Sequence, residues 1–224
     1  MVVLATNVYV LGEGRRRAMD SLESLVENEL GDLDVEFTVG LRDDDFPSVT
    51  VTGEDAPVAR NLLESEWGAI TPHREAGETY VGTLESWDDE GFVLDAGESV
   101  RIPADELGLG PGSPAQIRTR FGLVQHVPLR FVEGGEGEPN SLADAERDRL
   151  YEWTRGTGRV NANSTTRAQL RATINRSGHA DDIATVERVG LLESSVICRE
   201  GTDAPGLLAD IGPHLEAELL AIVS

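Results

Sequence analysis

The apolar positions of the first seventy residues change period several times, and each change marks an element. Val2 to Val10 is rich in apolar residues and reads as a strand, followed by Gly12 and Gly14. Met19, Leu22, Leu25, Val26 and Leu30 then recur at three- and four-residue spacing, which predicts a helix stopped at Gly31. Val35, Phe37 and Val39 alternate with polar residues, as do Val49 and Val51, and the acidic turn Asp43 to Asp45 separates the two runs. A second helix begins near Asp55, with Val58, Ala59, Leu62, Leu63 and Trp67 on one face and Gly68 after it. The order predicts a small βαββα module over residues 1–73, its helices packed on one face of a sheet.

From 74 to 133 the pattern predicts strands only. Tyr80 to Leu84, Gly91 to Leu94, Ser99 to Ile102, Ala115 to Phe121 and Gln125 to Val132 are short runs, punctuated by Asp88-Asp89, Ala96-Gly97 and Gly110-Pro111-Gly112. Five close strands imply a small barrel. Residues 134–140, Gly-rich, charged and containing Pro139, read as a linker.

Residues 141–224 predict a C-terminal α+β module. Ser141 can cap a helix that runs through Trp153, a strand follows from Arg159 to Asn163, and a helix from Thr166 to Arg176 is ended by Gly178. Strands at Ile183 to Val189 and Ser195 to Arg199 precede a last helix from Asp203 to Val223. The fold class is therefore α+β. This third part repeats the order of the first, with an echo in Gly53-Glu54-Asp55-Ala56-Pro57 and Gly201-Thr202-Asp203-Ala204-Pro205. Helix-start chemistry used twice, Asp as the cap and Pro in the first turn, is favoured over duplication.

Charge adds a second layer. There are 41 acidic residues against 19 basic ones, a net of −22, and every basic residue is Arg. Such a chain is ill suited to package DNA or bind an anionic membrane. No apolar run approaches a membrane span, and no basic region precedes the first apolar stretch, so it reads as neither anchored nor secreted. The single Cys198 fits a reducing cytoplasm. Dense carboxylates without Lys point to a halophilic archaeon, whose cytosol holds molar salt.

The acids are not spread evenly. Leu107 to Val132 is 26 residues without an acid and carries Arg118, Arg120, His126 and Arg130. Trp153 to Ala180 is 28 residues without one and carries Arg155, Arg159, Arg167, Arg171, Arg176 and His179 among Asn, Ser and Thr. Arg167 and Arg171 are four apart, hence neighbours near a helix start whose amides favour anions, and the Ser164 to Thr166 hydroxyls add donors. Arg grips phosphate with two donors and stacks on bases. The Debye length is ~3 Å at molar salt, so an RNA surface there must work through close contacts rather than a broad field. Burial or a protein interface would also empty a segment of acids.

The β segment resembles the OB barrel of the ribosomal protein S-one type through Gly82, Leu84, Gly91-Phe92-Val93, Asp95, Gly97, Ile102 to Leu107 and Gly112. By that resemblance Phe92 would be a base-stacking aromatic, and Pro103 stands where a second aromatic usually falls. Along its whole length the chain is similar to the archaeal family catalogued as domain of unknown function 2110. Val2 to Thr6, Asp45 to Val49, Gly178 to Ile183, Val186 to Glu193 and Gly201 to Gly206 carry that similarity.

The four His residues have no ligand spacing, so neither a metal nor another cofactor is expected. His179, near Asp181 and Asp182, is the one acid–base candidate. Cys198 reads as a small core residue, and Gly12 to Arg17 lacks the Lys and Ser/Thr of a phosphate loop. The expectation is a cytoplasmic, non-enzymatic protein that binds RNA or the ribosome. Its contacts would be Arg155, Arg159, Arg167, Arg171 and Arg176, with Phe92, Arg118 and Arg120 on the barrel. A protein-interaction adaptor using the same face and an enzyme built on His179 are the alternatives.

Overall fold

The computed structural model describes residues 1–223. Helix α1 (Gly12–Leu30) buries Ala18, Leu22, Val26 and Leu30, one residue per turn along a single stripe. Helix α2 (Ala56–Trp67) buries Ala56, Ala59, Leu63 and Trp67, while Val58 and Leu62, expected on the same face, point to solvent. Both pack on an antiparallel sheet of β1 (Val2–Val3), β2 (Val35–Leu41) and β3 (Pro47–Gly53) in the order β1-β3-β2. The strand expected over Val2 to Val10 is therefore only two residues long. Beyond it the backbone amides of Ala5 and Val8 bond to the loop carbonyls of Gly68 and Asp45 instead of a ladder.

The second sheet is antiparallel and curled. It comprises β4 (Thr79–Asp88), β5 (Gly91–Asp95), β6 (Ser99–Pro103), β7 (Pro128–Val132) and β8 (Ser141–Leu142), ordered β6-β5-β4-β7-β8. The long β4 pairs with β7 through one half and β5 through the other, and a bulge between Leu84 and Ser86 bends it. A Cβ on Gly82 would sit 3.0 Å from the Leu94 Cβ, so a side chain at this crossing would push its neighbours back by a few tenths of an ångström. Two expectations fail here. Residues 115–121 form helix α3 (Pro114–Arg120) because Ser113 and Gln116 make a capping box with Pro in the first turn. Ser141 caps nothing: it lies in β8, residues 134–140 turn from β7 into it, and helix α4 (Asp144–Trp153) follows. Leu150 and Trp153 of α4 join Phe92, Phe121 and Phe131 in one core.

The third sheet joins β9 (Arg159–Ala162), β10 (Ile183–Arg188), β11 (Ser194–Cys198) and β12 (Leu219–Ile222) in the order β10-β11-β9-β12. Helices α5 (Arg167–Arg176) and α6 (Ala204–Ile211) add Leu170, Ile174, Leu207 and Ile211 to its core. The helix expected to reach Val223 stops at Ile211, where Gly212 and Pro213 lead out, and the apolar residues beyond pair with β9 as β12. In the first and third sheets alike, the unit's third strand lies between its first and second. Both echoes do start a helix, with Asp55 and Asp203 at the N-cap and Pro57 and Pro205 in the first turn, although neither Asp makes a side-chain cap bond. The chain is thus a mixed α+β protein with six α-helices and three antiparallel sheets among the described residues. None of those helices is long and apolar enough to cross a membrane.

The three parts interlock through the β10–β11 turn. Its Leu191 and Leu192 are buried in the core beneath α1 and α2, while Ile222 of β12 enters the core of the curled sheet.

Candidate functional site

In so acidic a chain most arginines find a carboxylate. Eleven of the nineteen have one within 4.0 Å, and Arg16, Arg60, Arg120, Arg155, Arg167, Arg171, Arg176 and Arg199 do not, among the described residues. Half of these uncommitted arginines fall between 155 and 176, in the second acid-free stretch. Arg155, Arg167, Arg171 and Arg176 are all exposed. Helix α5 holds three of them outward because Leu170, Thr173 and Ile174 take its inner face.

The other expected contacts lie elsewhere. Phe92 is fully buried in the core of the curled sheet, so its ring offers no stacking face. Arg118 is buried too: its guanidinium lies 3.8 Å over Trp87 and pairs with Glu218. Arg120 donates to the carbonyls of Leu109 and Pro111 at 2.6 and 2.8 Å, tying down the loop before α3. Arg159 pairs with Glu187 at 3.0 Å and also donates to Ser195. The Ser164 to Thr166 hydroxyls do not form an anion cradle. Thr166 caps α5 through Gln169, and the Ser164 and Thr165 hydroxyls donate to Asn163 Oδ1 and the Thr166 carbonyl. Asn161 and Asn163 donate to the carbonyls of Gly122 and Gln125, docking β9 on the curled sheet.

Arg159 and Arg167 open onto a groove that the sequence did not reveal. Two adjoining depressions, of about 520 and 580 Å³, share Arg149, Arg188 and Val189. The first lies between the end of α2, the β4–β7 face, α4 and β10, and Arg130 lines it. The second carries Arg159 and Arg167 beside Trp153. Five arginines from five elements therefore line one path, and Arg167 is the one with no carboxylate partner.

Their positions are fixed from behind. Glu146, fully buried on α4, accepts from Arg149 Nε at 3.0 Å and holds Arg130 at 3.5 Å. Arg188 lies 4.0 Å over Trp67 and pairs with Glu66 and Glu29. Burial pushes the Glu29 carboxyl up, against the Trp67 hydrogen bond and the charge of Arg188. Arg149 and Arg159 both lie over Trp153, at 4.9 and 5.5 Å. The arrangement presents guanidinium edges along a path with indoles behind them, and it suits phosphates and planar rings. Arg149 and Arg188 escaped sequence reasoning because acids surround them in the chain; Arg130 was signalled by the first acid-free stretch.

His179 stands outside this groove. Its Nδ1 lies 2.7 Å from Asp182 and its Nε2 3.1 Å from Asp210, and the Asp182 hydrogen bond is the largest of the effects that raise its pKa. Both ring nitrogens are thus engaged by carboxylates. Among the described residues no three or more His, Cys, Asp or Glu side chains gather as metal ligands.

Models of three successive domains of one family match the chain: the DUF2110 N-terminal domain over residues 1–73, the DUF2110 central domain over 74–154 and the DUF2110 C-terminal domain over 157–223. No curated protein matches it.

Proposed function

The chain belongs to the DUF2110 family over almost its whole length, and from the arginines of its surface we propose that it is a non-enzymatic RNA-associated protein whose contact surface is the arginine groove and the outer face of α5. One observation carries the reading: in a chain of net charge −22, four exposed arginines between 155 and 176 are left without carboxylates, and one of them, Arg167, lines a groove together with Arg130, Arg149, Arg159 and Arg188. An acidic chain that had no use for free guanidinium groups would neutralise them.

The contacts assigned are Arg155, Arg167, Arg171 and Arg176, with Arg159 and the groove arginines behind them. Phe92, Arg118 and Arg120 act in folding instead. The curled sheet is read as an OB-like scaffold that supports the groove from below, and the three matched segments as three modules clasped around it. In the molar salt of a halophilic archaeal cytosol the Debye length is ~3 Å, so the bulk of the acidic coat is not felt at the groove and direct guanidinium–phosphate contacts dominate. His179, with both nitrogens engaged, supports a clamp between α6 and the loop after α5 more than an acid–base role.

Filter binding of the full chain to total RNA in molar KCl tests the reading. Binding is expected, together with its loss when Arg167 and Arg171 are both changed to Ala. No binding by the wild type, or none lost in the double variant, overturns it. Protein partners that survive nuclease treatment and are lost with the same variant would make the face a protein-docking surface.

A further inference from the structure

The three parts meet at one buried carboxyl. Glu193, at the end of the β10–β11 turn, is 1% exposed. It accepts a hydrogen bond of 2.6 Å from the Tyr9 phenol of the N-terminal segment. The Tyr9 oxygen in turn accepts from the Ser164 amide at 2.8 Å. The Tyr9 ring stacks on His126, from the turn between α3 and β7, at 3.7 Å between centroids. On the other side of the turn, the Leu191 amide donates to Thr6 Oγ1. Two of the three non-glycine residues with left-handed backbone, His126 at φ 67° and Ser164 at φ 55°, are those that touch Tyr9. Such backbone persists only where its surroundings impose it.

We propose that Glu193 is a proton-operated latch: uncharged, it locks the β10–β11 turn against the N-terminal segment and the curled sheet, and on ionising it releases that turn and with it one wall of the arginine groove. The link to the groove rests on the RNA reading above, and the latch itself does not. Arg188 and Val189, which line both depressions, directly precede the turn, and Gly190 within it lines the first.

The groups facing the carboxyl explain why a proton governs it. From the N-terminal segment comes the Tyr9 phenol, whose own pKa is pushed up chiefly by burial, so it remains a donor. From its own turn come the amides of Leu192 and Glu193. The α3–β7 turn brings His126, which lies on the far face of Tyr9 and whose pKa burial pushes down against the pull of Glu218. No arginine bonds to Glu193 among the described residues, in a chain that pairs eleven of them elsewhere. Burial therefore outweighs the Tyr9 and amide hydrogen bonds and pushes the carboxyl up from 4.5 to about 8. The closed form holds the proton, while the released turn lets the carboxyl ionise at its ordinary value. Opening is consequently favoured about tenfold per pH unit between roughly pH 5 and 8, and levels off above that.

Hydrogen exchange of the full chain in fixed KCl between pH 5 and 9.5, corrected for intrinsic rates, reads this at the Leu191 and Ser164 amides. The wild type should open more by about tenfold per unit up to about pH 8. In Glu193→Gln the profile should be flat. Tyr9→Phe removes a donor that favours the carboxylate, so its levelling point should move to higher pH, a readout that loosened packing alone would not produce. Identical profiles in the wild type and both variants overturn the latch. RNA binding measured on the same samples separates the two claims. Binding with a flat opening profile overturns the latch alone, and proton-linked opening without any RNA binding overturns only the RNA reading.

Discussion

Residues 107–132 and 153–180 lack acids for opposite physical reasons. In the first stretch Leu107, Leu109, Ile117, Phe121, Leu129 and Phe131 are all core, and even Arg118 is buried on Trp87. A carboxylate there would lose its water with nothing to replace it. In the second stretch the inner face is also core, but Arg155, Arg167, Arg171 and Arg176 are exposed and take no carboxylate. Desolvation places no bar on acids at those outer positions. The same sequence signal thus marks an interior in one place and an uncommitted cationic surface in the other, and only the second calls for a functional explanation.

The contrast predicts opposite responses to mutation, and the largest belongs to the interior. Phe121→Ala should lower unfolding free energy by about 3–5 kcal/mol, read by urea titration, because the ring is 1% exposed and leaves a cavity. Arg118→Ala should lose about 2 kcal/mol in the same titration, since it leaves Glu218 with only the Gln125 amide and strips Trp87 of its cover. A loss near zero would place residues 107–132 with the surface and break the comparison.

At the start of α5 the effect falls to the scale of one cap. Thr166→Ala removes a capping box and should lose about 1 kcal/mol, seen as a small drop in midpoint. Replacing Arg167 and Arg171 together by Ala should change stability by less than about 0.5 kcal/mol while weakening RNA binding by roughly tenfold or more. A large stability loss in that pair would show these arginines to be structural, like Arg118.

How much of this was legible in the chain follows from where the deciding force lies. The stripe of α1 and the alternation of β2 and β3 were readable because local periodicity and burial agree there. Helix α3 was readable in principle: Ser113, Pro114 and Gln116 spell its start, but the apolar residues beyond them passed for a strand. Leu219 to Ile222 could not be assigned locally, since an apolar run after a helix becomes a strand only through pairing with β9. For the site, the unpaired arginines of α5 were visible as a gap in the acids. The groove was not, because Arg149 and Arg188 reach it from acid-rich neighbourhoods and its walls exist only once three parts have packed.

The smallest expected effect, the salt response of one surface histidine, separates two protons that resemble each other in a pH titration. His179, within the second acid-free stretch, has a raised pKa because Asp182 and then Asp210 favour its charged form. Its stabilisation is therefore full below the ordinary value near 6.5 and is lost as pH rises through the higher folded value. Glu193 also has a raised pKa, but because burial disfavours its charged form, so its stabilisation fades from about 4.5 to about 8. Both weaken the fold as pH rises, and salt tells them apart. The His179 side chain is 22% exposed and its partner Asp210 is 64% exposed, so added KCl should shrink the stability difference between wild type and His179→Gln. The difference between wild type and Glu193→Gln should keep its pH dependence in the same KCl series, because no solvent reaches that carboxyl. Thermal midpoints at pH 6 and pH 9, each at low and molar KCl, check both. Equal salt sensitivity in the two variants would mean that Glu193 is as wet as His179, and the buried junction would then be no more interior than the surface of α5.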